Sequence, residues 1–407
     1  MMSAQNTERT GYMDQMTPQL LFRLLSFAVC GKALPENAAK QYTAERITQI
    51  YTLAARHDVG NIVGEALFAS GLSKQLAENS GPFQKLQLEA VMRYEKSNHE
   101  LNRICQALEE AKVPFMPLKG SVLRNSYPVP WMRTSCDIDI LVPVEQVDMA
   151  AAFLVEHLQY NISVKTGHDI GLQAKNGQTL ELHYDLIEDS CSEHSAKVLQ
   201  TVWETASLAN GSQYRHEMSD SMFYFYHIAH MAKHFEHGGC GIRPFVDLWI
   251  LDAQPDADGQ GRDALLREGE LLQFANAVRK LSRVWLEEAA PDADLEQLQE
   301  YILTGGMYGS LENWVKVKSE KVGGKKNYFL SRLFLPYDAL RFAYPVLEKH
   351  KWLFPVMQVV RWFKIFNPTS RKKVKNEIRY SQNSTEATHL QTKHLLASVG
   401  LEKKNAK

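Results

Sequence analysis

The chain has 407 residues, of which 44% are hydrophobic and 23% charged. That excludes a disordered polypeptide and leaves apolar material for two or three domains. Lys plus Arg number 46 and Asp plus Glu 47, a net charge of -1 that argues against a dedicated nucleic-acid coat.

The five cysteines (Cys30, Cys105, Cys136, Cys191 and Cys240) contain no CxxC pair and are odd in number. A disulfide framework or structural zinc is not expected, and a reducing cytoplasmic compartment is. Residues 1–15 lack a basic region followed by an apolar one, so no signal peptide is expected. No apolar run of about 18 residues points to a transmembrane helix.

Residues 17–108 carry apolar stripes at helical spacing. Leu20, Leu21, Leu24, Leu25 and Ala28 predict one helix, 44–56 a second and 62–69 a third. Residues 81–111 predict one long helix. The texture changes at Val113, where 113–118 reads as a short strand closed by Lys119-Gly120. Asp137-Ile138-Asp139-Ile140-Leu141-Val142 reads as a strand with one polar face near its start, followed by a helix over 145–158. Strands are predicted at 161–165, 169–174 and 178–186, with Asn176-Gly177 as a hairpin turn. From 220 the pattern is helical again, over 222–234, 245–251 and 263–303, with Gly259-Gln260-Gly261 as a loop. Residues 321–326 read as a flexible connector, and 333–366 as an aromatic segment broken by prolines. The expected division is an N-terminal helical region (1–111), an α/β core (112–215), a C-terminal helical domain (216–370) and a loosely attached basic polar tail (371–407).

The chemistry concentrates in the middle. Leu118-Lys119-Gly120-Ser121 ends a strand and opens a helix. On the later strand, alternation puts Asp137 and Asp139 on one face, roughly 6–7 Å apart along the chain. Two carboxylates that close repel, and a divalent cation between them relieves the repulsion; Mg²⁺ prefers such oxygen ligands. Glu181, His183 and Asp185 alternate onto one face of another strand and are candidates to complete the site. His227, His230 and His234 share a helix face, for which a packed or cleft-facing polar surface is the expected role rather than metal binding. Arg243 and Asp247, at i and i+4, are expected to form a local ion pair.

These motifs resemble the DNA polymerase beta-like nucleotidyltransferase superfamily. They are most similar to an uncharacterised bacterial nucleotidyltransferase-like branch with Leu-Lys-Gly, then Arg, then Asp-Ile-Asp-Ile-Leu-Val, then Glu-Leu-His. Here these are Leu118-Lys119-Gly120, Arg133, 137–142 and Glu181-Leu182-His183. His230-Met231-Ala232-Lys233-His234, Arg243, Asp247, Tyr344-Pro345 and 352–355 extend the likeness, from about residue 20 to 366. The resemblance implies an α+β fold, a mixed sheet flanked by N- and C-terminal helices. It implies transfer of an NMP from an NTP, ATP foremost, to a small-molecule or protein acceptor, with release of pyrophosphate.

On that reading Asp137, Asp139 and Glu181 hold Mg²⁺ (or Mn²⁺), with Glu181 also a candidate base. Gly120 lets backbone approach a phosphate and Ser121 donates to it. Lys119 and Arg133 neutralise the leaving pyrophosphate, Arg133 having as its other reading an ion pair with Asp137 or Asp139. Lys233 and His234 reach the phosphates from the helical domain. The rivals are a catalytically inactive nucleotide-binding or regulatory module, such as the partner of a toxin-like protein, and an RNA-end nucleotidyltransferase, which the near-neutral charge disfavours. For 352–364 a packed helical core is expected ahead of peripheral membrane contact, because Pro355 interrupts the pattern.

Overall fold

The structure is a computed structural model that describes residues 16–187, 192–307, 309–344 and 346–363, and beyond these 371, 375–377, 379–381 and 386–402. Most of the basic run 371–375 lies outside the described residues.

The sheet has five strands: β1 (Met116–Pro117), β2 (Asp137–Leu141), β3 (Asn161–Lys165), β4 (Asp169–Gln173) and β5 (Thr179–His183), in the order β1-β2-β5-β4-β3. β2 and β5 are parallel; the other neighbours are antiparallel. β4 and β5 join through Asn176-Gly177, where Gly177 takes a φ of 81° and the Asn176 side chain accepts from the Gln178 amide. Alternation along β2 and β5 sorts side chains by face. Ile138, Ile140, Leu180 and Leu182 are fully buried against Ile104 and Leu108 of helix Gly81–Glu110 and Ala150 and Leu154 of helix Val147–Leu158. The opposite face carries Asp137, Asp139, Glu181 and His183, and looks toward the helices.

Those helices come from both ends of the chain and share one core. Helix Met16–Cys30 packs on helix Leu272–Glu287, with Phe22 stacked on Trp285 at 4.5 Å and Ser26 donating to the Leu286 carbonyl at 2.7 Å. Helix Asp220–Glu236 lies in the same core through Met222, Phe225, Ile228, Met231 and Phe235. The chain thus wraps the α/β unit's polar face with helices drawn from before and after it.

Several expectations are corrected. Gly259-Gln260-Gly261 is not a loop but the first turn of helix Gly259–Glu268, because the Asp258 carboxylate caps it by accepting from the Gly261 amide at 2.9 Å. Residues 321–326 are not a flexible connector: 322–324 form a tight turn between helices Leu311–Lys321 and Lys325–Leu333, with Gly323 and Gly324 at φ of 82° and 103°. Residues 386–402 are not a loose tail: Leu395, Leu396 and Val399 are buried, and Gln273 donates to the carbonyls of Ala397 and Ser398. The aromatic stretch is not a packed core either. Trp352 is 73% exposed and Phe363 66%, because only the opposite side of helix Phe354–Phe363 meets the protein.

Candidate active site

The parallel register builds the site. Asp137 pairs with Thr179, Asp139 with Glu181 and Leu141 with His183, so the two acidic strand segments lie side by side. Asp139 is the centre. It is 4% exposed, and its Oδ1 accepts from Lys119 Nζ at 2.8 Å and lies 3.0 Å from His183 Nε2. His183 Nε2 is also 3.4 Å from Glu181 Oε2. Burial alone would raise the Asp139 carboxyl, but Lys119 and His183 overcome it and hold the group far below the usual carboxylate range. Burial would likewise lower Lys119 and His183; the facing carboxylates raise both.

Asp137 behaves differently. Burial raises its carboxyl, and the neighbouring Asp139 and Glu181 raise it further, against a weaker opposing pull from Lys119. Its negative charge is thus incompletely compensated. Asp139, Glu181 and His183 offer ligand atoms within 4.8 Å of one another. Two carboxylates and an imidazole, with a third carboxylate under repulsion alongside, are a donor set that fits a divalent cation. Asp137 was expected in the metal set, and His183 as a packed strand residue ahead of a ligand. His183 is buried and also joins the donor group.

Lys119 reaches Asp139 through an unusual backbone. Its φ of 46° and ψ of -123° are sparsely populated for a residue with a Cβ, a strain of about 1–3 kcal/mol. Gly120 follows because space is short: a Cβ there would lie 3.2 Å from Arg133 Nη1 and from Ser135 Cβ. The amides of Ser121, Val122 and Leu123 are used within the turn. The Ser121 hydroxyl is buried with no hydrogen-bond partner among the described residues.

Arg133 pairs with neither Asp137 nor Asp139. Its Nε donates to Asp247 Oδ1 at 2.7 Å, and Tyr127 donates to the same oxygen at 2.6 Å. Asp247 is therefore not the partner of Arg243, which pairs instead with Asp58. The local i,i+4 pair fails because each of the two side chains finds a partner from another part of the fold. Asp185 also leaves the site: β5 ends at His183, and Asp185 accepts from the Ile187 amide.

The facing wall is helix Asp220–Glu236, started by Ser219, whose hydroxyl accepts from the Met222 amide. Tyr226, buried and pushed up to about 12 by desolvation, is bonded to Lys119. Sequence reading missed it, although it sits one turn before His230 on the same face. Burial and the neighbouring cations push His230 well below the ordinary imidazole value and His234 down to about 4. Their Nε2 atoms are 3.0 Å apart, a spacing that neutral imidazoles satisfy by sharing one proton. His227 is also lowered by burial and meets the Pro244 carbonyl. Lys233 is pushed down to about 8 by burial and then by Lys119. A cavity of about 110 Å³ lies between this helix and the Arg133 loop, lined by Lys119, Arg133, His227, His230, His234 and Arg243 among others. Lys233 lines a second cavity of about 80 Å³; Tyr226 and His230 border both. Lys119 thus links the carboxylates to a cation-lined space, and Lys233 lines the neighbouring one.

A mixed sheet with paired carboxylates on adjacent strands, a Lys-Gly-Ser turn beside them and helices over that face defines a polymerase-beta-like α+β nucleotidyltransferase fold. The chain matches the family model described as an uncharacterised nucleotidyltransferase over residues 43–287, more than half its length. It belongs to that family and is a nucleotidyltransferase, an enzyme of the class that takes an NTP and transfers its NMP to an acceptor. Among solved structures, that of the antibiotic-resistance factor ANT(2'')-Ia is similar at 13% sequence identity, covering 51% of this chain and 99% of that one with a TM-score of 0.25. No curated protein matches. The Tyr-Pro and Trp-Leu-Phe-Pro motifs at 344–355 lie beyond the matched residues.

Proposed function

We propose that the protein transfers an NMP from an NTP, ATP foremost, to a small-molecule or protein acceptor, with Asp137, Asp139 and Glu181 holding Mg²⁺ and pyrophosphate as the leaving group. The observation that supports this best is the β2–β5 register, which sets Asp139 opposite Glu181 with Asp137 and His183 alongside. Mn²⁺ suits the same carboxylate donors. Such a cation, when bound, screens the triphosphate and lowers the pKa of an acceptor hydroxyl.

The chain's own residues supply the rest. Glu181, with its side chain 35% exposed, is the carboxylate best placed to take the acceptor's proton. Lys119 shifts from Asp139 toward the phosphates as negative charge enters, and Tyr226 steadies its ammonium. The Ser121 hydroxyl, with no hydrogen-bond partner among the described residues, donates to a phosphate oxygen, and Gly120 keeps the approach open. Lys233 adds a cation whose charge is present below about pH 8. His234, held neutral, binds as a hydrogen-bonding group rather than a charge. Arg133 is locked to Asp247, so it orients the loop after the Lys-Gly-Ser turn and acts on the phosphates only through its field.

The test is incubation with each labelled NTP and with Mg²⁺, Mn²⁺ or chelator, following pyrophosphate and label on protein or extract. The reading expects metal-dependent release of pyrophosphate. Equal release in chelator would overturn the metal assignment, and no release from any NTP with any extract would overturn the transfer.

A further inference from the structure

The chain is nearly neutral, but its charge is not evenly spread. Residues 325–380 hold thirteen Lys and Arg against Asp338, Glu348 and Glu377, a net of +10, while the whole chain is -1. Among the described residues, the same segment carries the most exposed aromatic side chains. Trp352 is 73% exposed, Phe363 66% and Phe334 53%. Along helix Phe354–Phe363 the exposed Val356, Val359, Val360 and Phe363 fall at i, i+3, i+4 and i+7, a single stripe. The other side of that helix is the one that meets the protein: Gln358 is buried and donates to the Leu335 carbonyl, and Trp362 Nε1 donates to the Leu333 carbonyl at 2.8 Å. The stripe therefore faces outward. Exposed Leu330, Leu333 and Phe334 come from the neighbouring helix and its end, and exposed Lys326, Lys349 and Lys351 from the same segment.

We propose that this segment docks the protein on the surface of an anionic lipid bilayer. An apolar stripe with exposed Trp and Phe, in a segment rich in Lys and Arg, is the chemistry of a helix lying in the headgroup region. The long basic side chains lay their stems on apolar surface and keep their charges at the lipid phosphates. A second copy of the chain fits this face poorly, since it would set one +10 segment against another. RNA would satisfy the charge but not a valine stripe, which offers it neither hydrogen bonds nor stacking. Among the described residues no helix is long and apolar enough to cross a membrane, so the contact is with the surface. The segment lies outside residues 43–287, so this inference stands apart from the assignment of the nucleotidyl site.

The full chain is mixed with vesicles of phosphatidylcholine alone or with added phosphatidylserine, and the bound fraction is read by sedimentation. Binding to the serine-containing vesicles only, weakening steeply with salt, is expected. Trp352→Ser with Phe363→Ser should weaken it by about tenfold or more. Lys349→Glu with Lys351→Glu should weaken binding to the phosphatidylserine vesicles, and all these variants should keep wild-type NTP turnover and melting temperature. The proposal is overturned by no binding to either vesicle, by equal binding to both, or by binding that the aromatic substitutions leave intact. Retention of RNA without vesicle binding would overturn it too, as would a solution dimer that Trp352→Ser dissolves.

Discussion

The two walls of the cleft are comparably buried and answer burial in opposite ways. On the sheet, Lys119 and His183 hold the Asp139 carboxyl far below the usual range, and the carboxylates in turn raise Lys119 and His183. On helix Asp220–Glu236, burial lowers His230, His234 and Lys233 and neighbouring cations, Lys119 among them, add to it, so the two imidazoles are neutral and Lys233 is lowered to about 8. Desolvation acts on both walls; the sign of the neighbours decides the outcome. The sheet wall, through Asp137, lacks positive charge, and the helix wall lacks negative charge. A metal-bound polyphosphate carries both.

The comparison breaks most visibly at the carboxylates. Asp139→Asn keeps the side chain's shape and an oxygen for Lys119, yet should lower kcat/KM by on the order of 10²–10³-fold or more, by analogy with losing one charge-stabilising group. Glu181→Gln sharpens the point: its side chain is partly exposed, so turnover should fall with little change in melting. A Glu181→Gln variant as active as wild type would remove Glu181 from the chemistry.

Next in size is the ion pair that anchors helix Arg243–Asp252 to the Arg133 loop. Asp247→Ala strands buried Arg133 and should cost about 3–5 kcal/mol of stability, read by chemical denaturation. A loss below about 1 kcal/mol would mean the pair is not what fixes that loop.

Lys233 provides a smaller test. Its charge is lost as pH rises through about 8, so KM for the NTP should rise across that range while Lys233→Gln shows a flat profile, with KM about tenfold higher at pH 7. A Lys233→Gln profile that still rises near pH 8 would assign the titration elsewhere.

The smallest effect is the pH dependence of stability. His57 and His234 have folded pKa values of about 3 and about 4, below the unfolded value of 6.5. The unfolded chain binds protons first, so stability from these groups is full above pH 6.5 and falls as pH drops toward 4. His183, raised in the folded state, acts in the opposite sense and loses its contribution as pH rises. His234→Gln should flatten the acid slope of the melting temperature; an unchanged slope would mean His234 is protonated in the fold.

Much of the sheet was legible because its signals are local. Alternation in 137–141 and 179–183, and the Asn176-Gly177 turn, fix faces without knowledge of the rest. The nearness of Asp139 and Glu181 was legible only as a resemblance, since strand register is a long-range property. What escaped were partners chosen across the fold. Arg133 with Asp247 joins residues 114 apart, and Arg243 with Asp58 joins residues 185 apart; nothing in the spacing of Arg243 and Asp247 signals that both prefer distant partners. Tyr226 was missed because an aromatic on an apolar helix reads as core until Lys119 is placed against it. The outward aromatic stripe was misread because amphipathic periodicity reveals a face and not what covers it.

The account's central claim is that the carboxylate wall performs metal-dependent NMP transfer. Its most direct test is pyrophosphate release from labelled NTP with Mg²⁺, comparing wild type with an Asp137→Asn/Asp139→Asn double variant shown to be folded by its melting curve. The account predicts release by the wild type that chelator stops, and none from the double variant. Release by the folded double variant at the wild-type rate would contradict it.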